Sequence, residues 1–253
     1  MKKLMTFFLT LALMCVFAGS GFAKDITVAT DTNFPPFEFK DPKTGKHTGF
    51  DVELWDAIAK EIGIQYKLQP MDFNGIIPGL QSGQLDAGIA GMGIKPERAK
   101  VIDFSDPYYK AGLLLLVKSS NTEIAGIEDL EGRTVATKLG TTSEDFLKKN
   151  AKAKEIKLYP NNDAMFMELM MGGTDAVFFD SPVIAHYMQE VGKEKVKVVG
   201  PLYGMNDAVG SNYGIGFPKG SPLVPKVNAA LKTLKDNGTY RELYLKWFNT
   251  EPK

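Results

Sequence analysis

The chain has 253 residues, of which 44% are hydrophobic and 24% are charged, and its formal net charge is zero. This composition is typical of a globular protein with a sizeable core and argues against a disordered chain. The balanced charge also lacks the basic excess that nucleic-acid binding requires, so we expect no nucleic-acid partner.

The N-terminus has the pattern of a secretory signal peptide. Lys2 and Lys3 precede an apolar run over residues 4–17, and Gly21-Phe22-Ala23 fits the small-x-small pattern of a signal peptidase site. We therefore expect a signal peptide over residues 1–23, export of the chain and cleavage after Ala23. A membrane anchor is the alternative, but the run is short for a span of about 20 residues.

Removal of residues 1–23 takes away two lysines and no acids, which leaves 28 basic and 30 acidic residues and a net charge of −2. It also takes away Cys15, the only cysteine in the sequence. The exported chain then forms no disulfide and has no thiol nucleophile or cysteine metal site. Cys15 is also a poor lipidation site, since Met14 precedes it and Val16-Phe17 follow it. We expect neither a metal nor another cofactor.

Short apolar strands alternate with helical segments in the first part of the exported chain. Residues 26–30 predict a buried strand, and residues 51–62 predict a helix with an apolar face. A strand over 66–70, a helix over 74–81 and a strand over 86–90 follow. This βαβαβ order is typical of a parallel sheet covered by helices.

A second series of strands and helices starts after Lys118. It comprises a strand over 134–137, helices over 142–150 and 163–171, and a strand over 175–179. Three helix starts and one further strand are also predicted: Ser181-Pro182, Ser221-Pro222, a capping box of Thr239 with Glu242, and a strand over 213–217. Two α/β halves are therefore predicted, although the residues show no convincing repeat.

The stretch AGIAGMGIKPERAKVIDFSDPYY, residues 87–109, places one arginine just past a glycine-rich strand end. Glycines such as Gly91 and Gly93 let a ligand approach the backbone closely. Free N–H groups and the positive end of a helix favour an anion there. Arg98 would bind a carboxylate through two parallel hydrogen bonds. A carboxylate site is thus one interpretation, and a solvated surface arginine is the other.

Seven stretches of the exported chain form a distinctive series: VATDTNFPPFEF, GFDVELWDAIAKEIG, PMDFNGIIPGLQSGQLDAGIAGM, ERAKVIDFSDPYYKAGLLLLVK, DAVFFDSP, YGIGFPKGSPL and ALKTLKDNGTYRELYLKWF. In this order and spacing the chain resembles the periplasmic amino-acid-binding proteins of ABC importers (solute-binding protein family 3), most of all those that bind glutamine. The resemblance covers essentially the whole exported chain. It is the combination of stretches, rather than any one of them, that is specific.

The resemblance implies an α/β fold of the periplasmic-binding-protein-like type II class, with a ligand cleft between two lobes. The large lobe would comprise residues 24–108 and 213–253. The small lobe would comprise residues 113–207. Two hinge strands, residues 109–112 and 208–212, would join the lobes.

The resemblance also implies the residues that contact the ligand. Arg98 matches the arginine that binds the α-carboxylate, and Asp180 matches the acid that binds the α-ammonium group. Asp31 and Lys138 match polar groups at the side-chain end of the ligand. The other matched positions are the aromatic walls Phe34 and Phe73, backbone groups at Ala90, Gly91 and Thr142, and Gly93.

These residue types suit a zwitterion with a neutral amide side chain. A buried ligand needs a partner for each charge, because an unpaired buried ion is very costly. Lys138 offers only donors and an ionised Asp31 offers only acceptors, which fits the carbonyl and the NH₂ of glutamine respectively.

Two departures from the glutamine-binding pattern bear on specificity. Gly93 stands where that pattern has a threonine that contacts the carboxylate, so one donor worth about 1 kcal/mol is expected to be lost. Phe179 stands where the pattern has a histidine, which predicts a more apolar side-chain end.

We therefore expect a monomeric periplasmic receptor that binds a polar L-amino acid, glutamine, and delivers it to the permease subunits of an ABC importer. One alternative is an enzyme on the same fold, such as a dehydratase, since fold does not fix function. An enzyme needs a poised acid or base, but His47 and His186, the only histidines, lie in no such motif. A sensor domain for an amino acid is the other alternative.

Overall fold

The structure is a computed structural model that describes residues 26–205 and 210–252. The predicted signal peptide and residues 208 and 209 of the second predicted hinge strand lie outside the described residues. Within the two described ranges, no helix combines the length and the apolar character that crossing a bilayer requires.

The strands and helices alternate along the chain much as the sequence predicts. The strands are β1 Ile26–Asp31, β2 Asn33–Phe34, β3 Glu38–Lys40, β4 His47–Thr48, β5 Tyr66–Met71, β6 Ala87–Gly88, β7 Asp103–Phe104, β8 Tyr109–Lys110, β9 Leu113–Lys118, β10 Thr134–Lys138, β11 Glu155–Tyr159, β12 Ala176–Asp180, β13 Val196–Tyr203, β14 Asn212–Tyr213 and β15 Gly216–Phe217. The α-helices are α1 Phe50–Ile62, α2 Phe73–Gln81, α3 Pro96–Ala99, α4 Thr142–Asn150, α5 Asn162–Met171, α6 Ser181–Tyr187, α7 Leu223–Asp236 and α8 Thr239–Phe248.

The first lobe is built on a five-stranded sheet with the order β5-β1-β6-β15-β7. β1 pairs in parallel with β5 and β6, whereas β15 pairs antiparallel with β6 and β7. Helix α1 covers this lobe, and its Leu54, Trp55 and Ile58 are fully buried. Each such side chain contributes roughly 2 kcal/mol through removal of apolar surface from water.

The end of the chain returns to the first lobe. Lys246 Nζ and Trp247 Nε1, both on α8, donate to the carboxylate of Glu53 on α1, at 2.6 and 3.0 Å. Segments from the early and the late parts of the described chain are therefore joined in the first lobe.

The second lobe has its own five-stranded sheet, with the order β11-β10-β12-β9-β13. β10 pairs in parallel with β11 and β12, and β9 runs antiparallel to both β12 and β13. Two α/β lobes are thus present, as predicted.

A two-stranded ribbon joins the lobes. β8 pairs antiparallel with β14, and Ala111 N donates to Ser211 O at 2.8 Å just beyond the pair. Both residues of β8 fall in the first predicted hinge strand, and Asn212 of β14 falls in the second, whereas Tyr213 does not. That these strands act as a hinge stays a prediction. The lobe boundaries at 108, 113, 207 and 213 themselves stay a prediction.

Two local predictions were wrong. The predicted capping box does not form, because Gly238, with φ of 88°, precedes Thr239 as the cap of α8. The single strand predicted over 213–217 is two short strands in different sheets, β14 and β15. The chain here passes from the ribbon into the first lobe, so its pairing partner changes.

Candidate ligand-binding site

A pocket that opens to solvent lies between the two lobes. It is lined by Asp31, Phe34, Phe73, Ala90, Gly91, Gly93, Arg98, Lys138, Thr141, Thr142 and Asp180. Asp31, Lys138 and Asp180 are the last residues of β1, β10 and β12. Carboxyl ends of parallel strands are where open α/β sheets bind ligands. The structure thus brings together all ten residues implied by the resemblance and adds Thr141.

Arg98 is a buried cation, with only 6% of its surface exposed. Its Nη1 donates to Gly93 O at 2.9 Å, its Nη2 donates to Gly140 O of the other lobe at 3.0 Å, and its guanidinium lies 5.4 Å from the centre of the Phe73 ring. Burial lowers the pKa of Arg98 to about 10, so it stays charged at neutral pH. These two bonds use two of its five N–H donors. The solvated alternative does not hold, and donors remain for an anion.

Asp180 supplies a buried carboxylate on the second lobe. The Tyr213 hydroxyl donates to its Oδ1. Burial raises the pKa of Asp180 to about 6, against the opposing effects of the Tyr213 bond and of the charges on Arg98 and Lys138. Although Asp180 precedes α6, the described structure contains no capping bond from its side chain. The carboxylate is therefore set up to receive a cation.

Asp31 and Lys138 form an ion pair across the cleft, and each side chain is only 1% exposed. Asp31 Oδ1 also accepts from the backbone N of Thr32 at 2.6 Å and of Asn33 at 3.2 Å. Lys138 Nζ makes a second bond, to Asn33 O at 3.2 Å. Burial raises the pKa of Asp31, and the Lys138 ammonium group opposes that shift. The sequence did not indicate that these two groups bind each other.

Phe34 and Phe73 form apolar walls and are 5% and 8% exposed. Phe179 meets Phe34 edge to face, with ring centres 5.7 Å apart. Phe179 thus supports Phe34 from behind and does not line the pocket. The sequence predicts that Phe179 itself makes the side-chain end of the pocket apolar. In the structure Phe179 affects the pocket only through its contact with Phe34. Gly91 has φ of +51°, and a Cβ there would lie 2.4 Å from Phe34 Cε1, so only glycine fits beside this ring.

The surroundings of Gly93 leave no room for a side chain. A Cβ at this position would lie 2.4 Å from Gly210 O and 2.9 Å from Thr142 Oγ1. The Thr142 hydroxyl thus occupies the space next to Gly93, and the backbone at Gly210 closes the other side. A hydroxyl of another residue therefore lies beside Gly93, and the loss of one donor relative to the glutamine-binding pattern stays a prediction.

We expect Gly93→Thr to weaken amino-acid binding, not to add a ligand contact. The new side chain forces the Gly210 carbonyl or Thr142 to move, and overpacking of this kind costs about 1–3 kcal/mol. Calorimetric titration and thermal melting of Gly93→Thr and Gly93→Ala would measure this effect. Tighter binding by Gly93→Thr than by the parent protein would mean that a threonine hydroxyl at residue 93 contacts the ligand carboxylate.

Thr141 is the one lining residue that sequence reasoning missed. Its Oγ1 donates to Lys138 O at 2.6 Å, lies 2.9 Å from Ser143 Oγ and accepts from Glu144 N at 3.4 Å as the N-cap of α4. The hydroxyl-rich start of this helix was the available signal. Thr141 fixes the backbone between Lys138 and Thr142, two residues implied as ligand contacts.

Further contacts join the lobes outside the pocket. Asn33 Oδ1 accepts from Asn162 N at 3.1 Å, and Asn33 Nδ2 donates to Asp163 Oδ2 at 3.0 Å. Lys95 forms an ion pair with Asp145. These contacts hold the two lobes against each other on the outside of the pocket.

Neither histidine of the sequence lies at this pocket. His47 lies on β4 and His186 on α6, and neither lines the pocket. Residues 26–205 and 210–252 contain no group of three or more His, Cys, Asp or Glu side chains that could hold a metal ion. The lining residues offer charged groups, hydroxyls and aromatic walls.

Comparison with known proteins gives matches over nearly the whole described chain. The arginine-binding periplasmic protein of Mannheimia haemolytica is 34% identical, with 98% of each chain covered. The ABC transporter glutamine-binding protein GlnH of Bacillus subtilis is also 34% identical, with 89% of this chain and 81% of that protein covered. The structure of an ancestral arginine-binding protein bound to glutamine is 45% identical, with a TM-score of 0.83 and coverage of 89% and 98%.

These relatives are named as binding proteins, and the similarity to the solved structure confirms the predicted two-lobed fold class. Residues 26–250 match the family described as bacterial extracellular solute-binding proteins, family 3. With that match, and with the predicted contact residues gathered in one pocket between two lobes, the chain belongs to the bacterial extracellular solute-binding proteins of family 3.

Proposed function

We propose that this protein is the periplasmic receptor of an ABC importer, that it binds a polar L-amino acid with a preference for glutamine, and that it delivers this ligand to the permease. The ion pair between Asp31 and Lys138 is the observation that carries the choice of glutamine. The receptor acts as a monomer after removal of residues 1–23.

The two ends of the pocket support a zwitterionic ligand. The Arg98 guanidinium retains free donors for the α-carboxylate, and the Asp180 carboxylate accepts from the α-ammonium group. Both protein groups are buried, so each one needs an opposite charge more than an exposed group would. An α-amino acid provides both charges, on groups joined through one carbon atom.

The opposite end supports a neutral side chain. Lys138 neutralises Asp31, and its bonds to Asp31 and Asn33 use two of its three N–H donors. The third donor suits an amide carbonyl, and the Asp31 carboxylate keeps acceptor capacity for an amide NH₂. A glutamate carboxylate would approach Asp31, and an arginine guanidinium would approach Lys138, so each of these ligands brings a like charge into a poorly hydrated site.

Arginine is the second candidate ligand, on the strength of two relatives. The M. haemolytica protein is named for arginine, and the ancestral protein whose structure contains glutamine is itself described as arginine-binding. For arginine to bind well here, Lys138 would have to leave Asp31, so that the guanidinium takes its place.

Closure of the lobes fits this set of contacts. Arg98 and Asp31 lie on the first lobe, whereas Lys138, Thr142 and Asp180 lie on the second. A ligand that contacts both sets favours the closed state in proportion to its extra affinity for it. We propose that the lobes, bounded at residues 108, 113, 207 and 213, move about the ribbon of β8 and β14.

Competition calorimetry against L-glutamine, L-glutamate and L-arginine tests the assignment. We expect glutamine to bind most tightly, glutamate more weakly and arginine most weakly. If arginine binds more tightly than glutamine in this competition, Asp31 and Lys138 do not select the ligand side chain as proposed. Formation of a product from any of these amino acids during incubation would instead favour an enzyme.

Affinity should also depend on the ionisation of Asp180. Its pKa of about 6 means that a proton competes with the ligand ammonium group below that pH. We expect affinity to fall by about tenfold for each pH unit well below 6 and to be constant between pH 7 and 8. Asp180→Asn should bind weakly and lose this dependence. The same decline in Asp180→Asn would assign it to another group, such as Asp51, whose pKa is also about 6.

A further inference from the structure

Two carboxyl groups that do not line the pocket are buried directly behind it. Glu38 lies on β3 and Asp51 in the first turn of α1, and both residues are fully buried. The segments that carry them are tied together, because Asp51 N donates to Phe37 O at 2.8 Å. We call these two residues the carboxyl pair.

The hydrogen bonds of the carboxyl pair are unequal. Asp51 Oδ2 accepts from Gly91 N at 2.8 Å and from the Tyr108 hydroxyl at 2.6 Å. Among the residues that the structure describes, none donates to Asp51 Oδ1 or to either oxygen of Glu38. The charge of the Asp51 carboxylate raises the pKa of Glu38, so the two carboxyl groups lie within electrostatic reach of each other.

Two buried carboxyl groups at this proximity favour a proton on one of them. Two ionised carboxylates are acceptors only, so neither can donate to the other. Two unpaired charges side by side in a dry interior would also repel strongly. A single proton on one member removes the repulsion and supplies a donor. Of the three oxygens that lack a donor, it serves two: the oxygen that carries it and the oxygen that accepts from it.

The surroundings put this proton on Glu38. Asp51 has two donors and lies in the first turn of a helix, where a negative charge is favoured. Glu38 has neither. The charges that face Glu38 are those of Asp51, Asp31 and Lys138. Burial and the two acids raise the pKa of Glu38 well above its usual range, and the Lys138 ammonium group only partly opposes them.

Asp51 faces different groups. Tyr108 donates to it, and Tyr240 on α8 lies within the reach of its charge. Burial raises the pKa of Asp51 to about 6, while the bonds from Tyr108, Gly91 and Glu38 oppose that rise. Burial raises the pKa of Tyr108 as well, so this hydroxyl keeps its proton and stays a donor.

We propose that Glu38 and Asp51 share one proton at neutral pH, and that this makes Asp51 a positioning residue for the ligand pocket. Held by Glu38, the Asp51 carboxylate fixes the backbone of Gly91, which lines the pocket beside Phe34. Through Tyr108 it also ties that wall to the start of the ribbon strand β8. The effect on binding rests on the proposed function, whereas the shared proton does not.

Infrared spectroscopy at pH 8 tests for the proton directly. We expect the carbonyl band of a protonated carboxylic acid in the parent protein and its loss in Glu38→Gln. Asp51 and Asp180, with pKa values of about 6, are ionised at this pH. Glu61→Gln, which changes an exposed glutamate on α1, is the matched control and should retain the band. A band that persists in Glu38→Gln would overturn the proposal.

Unfolding should release the shared proton at pH 8, because an exposed glutamate is ionised there. The folded state then binds one more proton than the unfolded state, so the unfolding equilibrium constant should rise about tenfold per pH unit. Calorimetric unfolding in buffers of different ionisation enthalpy counts the proton. We expect one fewer proton released by Glu38→Gln than by Glu61→Gln, and equal counts would contradict a proton on Glu38.

Binding of L-glutamine and of L-arginine then tests the positioning role. Glu38→Gln keeps an N–H donor for Asp51 and should bind like the parent protein. Glu38→Ala and Asp51→Asn should bind about tenfold to a hundredfold more weakly, the effect of losing a hydrogen bond to a charged group. If Glu38→Gln binds as weakly as Glu38→Ala, the donor is not what matters. If the parent binds neither amino acid, the proposed function fails, while the infrared and proton-release results still decide the shared proton.

Discussion

Replacement of Arg98 with alanine should nearly abolish amino-acid binding while the protein stays folded. The ligand carboxylate would lose its charged partner between the closed lobes, and Arg98 would lose its bond to Gly140 O across the cleft. Loss of one member of a buried charge pair costs about 2–5 kcal/mol, or roughly 30- to 5,000-fold in Kd. Calorimetric titration with L-glutamine measures the loss directly.

Arg98→Lys is the matched control for this variant. It retains the positive charge but not the planar fork that binds Gly93 O, Gly140 O and a carboxylate at once. We expect its affinity to lie between those of the parent protein and Arg98→Ala. Thermal melting of both variants monitors the fold. Near-parental affinity in a folded Arg98→Ala would remove Arg98 from the binding site.

Replacement of Lys138 with methionine should reverse the ligand preference from glutamine towards arginine. This change leaves the buried Asp31 carboxylate without its ammonium partner, which destabilises the protein by about 3–5 kcal/mol. An arginine guanidinium would restore the pair, whereas a neutral amide would not. Competition titration compares the two ligands, and it is run at pH 8 because a higher pH opposes uptake of a proton by Asp31.

The double variant Asp31→Asn with Lys138→Met is the control for this reversal. Because it removes both charges, it should recover stability relative to Lys138→Met and lose the preference for arginine. If the single and double variants rank glutamine and arginine in the same order, the charge at residue 31 does not select the ligand. The side-chain end of the pocket would then lie elsewhere among the lining residues.

Much of the fold could be predicted from local patterns. Helix α4 spans Thr142–Asn150 as predicted, and α1 spans Phe50–Ile62, one residue longer than predicted at its start. Ser181-Pro182 does begin α6. These elements depend on the spacing of apolar residues along the helix and on the residue types at the helix start. Both are set by residues close together in the sequence. Two predictions failed for reasons outside the local pattern. At Thr239 the preceding Gly238 is the cap of the helix, and over 213–217 the chain passes from one sheet to another.

The composition of the pocket was also accessible from the sequence, through motifs that resemble a known family. All ten matched residues line one pocket, and the additional lining residue, Thr141, adjoins a matched one. Residue types and their order thus identified which side chains face the cleft. Their roles as ligand contacts stay a prediction that the variants above test.

Only the tertiary structure decided which of these groups meet. Asp31 and Lys138 are 107 residues apart and pair only because two lobes close on each other. Packing likewise puts the Thr142 hydroxyl beside Gly93, moves Phe179 behind Phe34 and buries Glu38 against Asp51. A sequence pattern records the face on which a side chain lies within its own element. The partner of a buried charge depends on how separate elements pack against each other. That packing also sets the local dielectric, the hydrogen bonds and the charge that the pocket presents to its ligand.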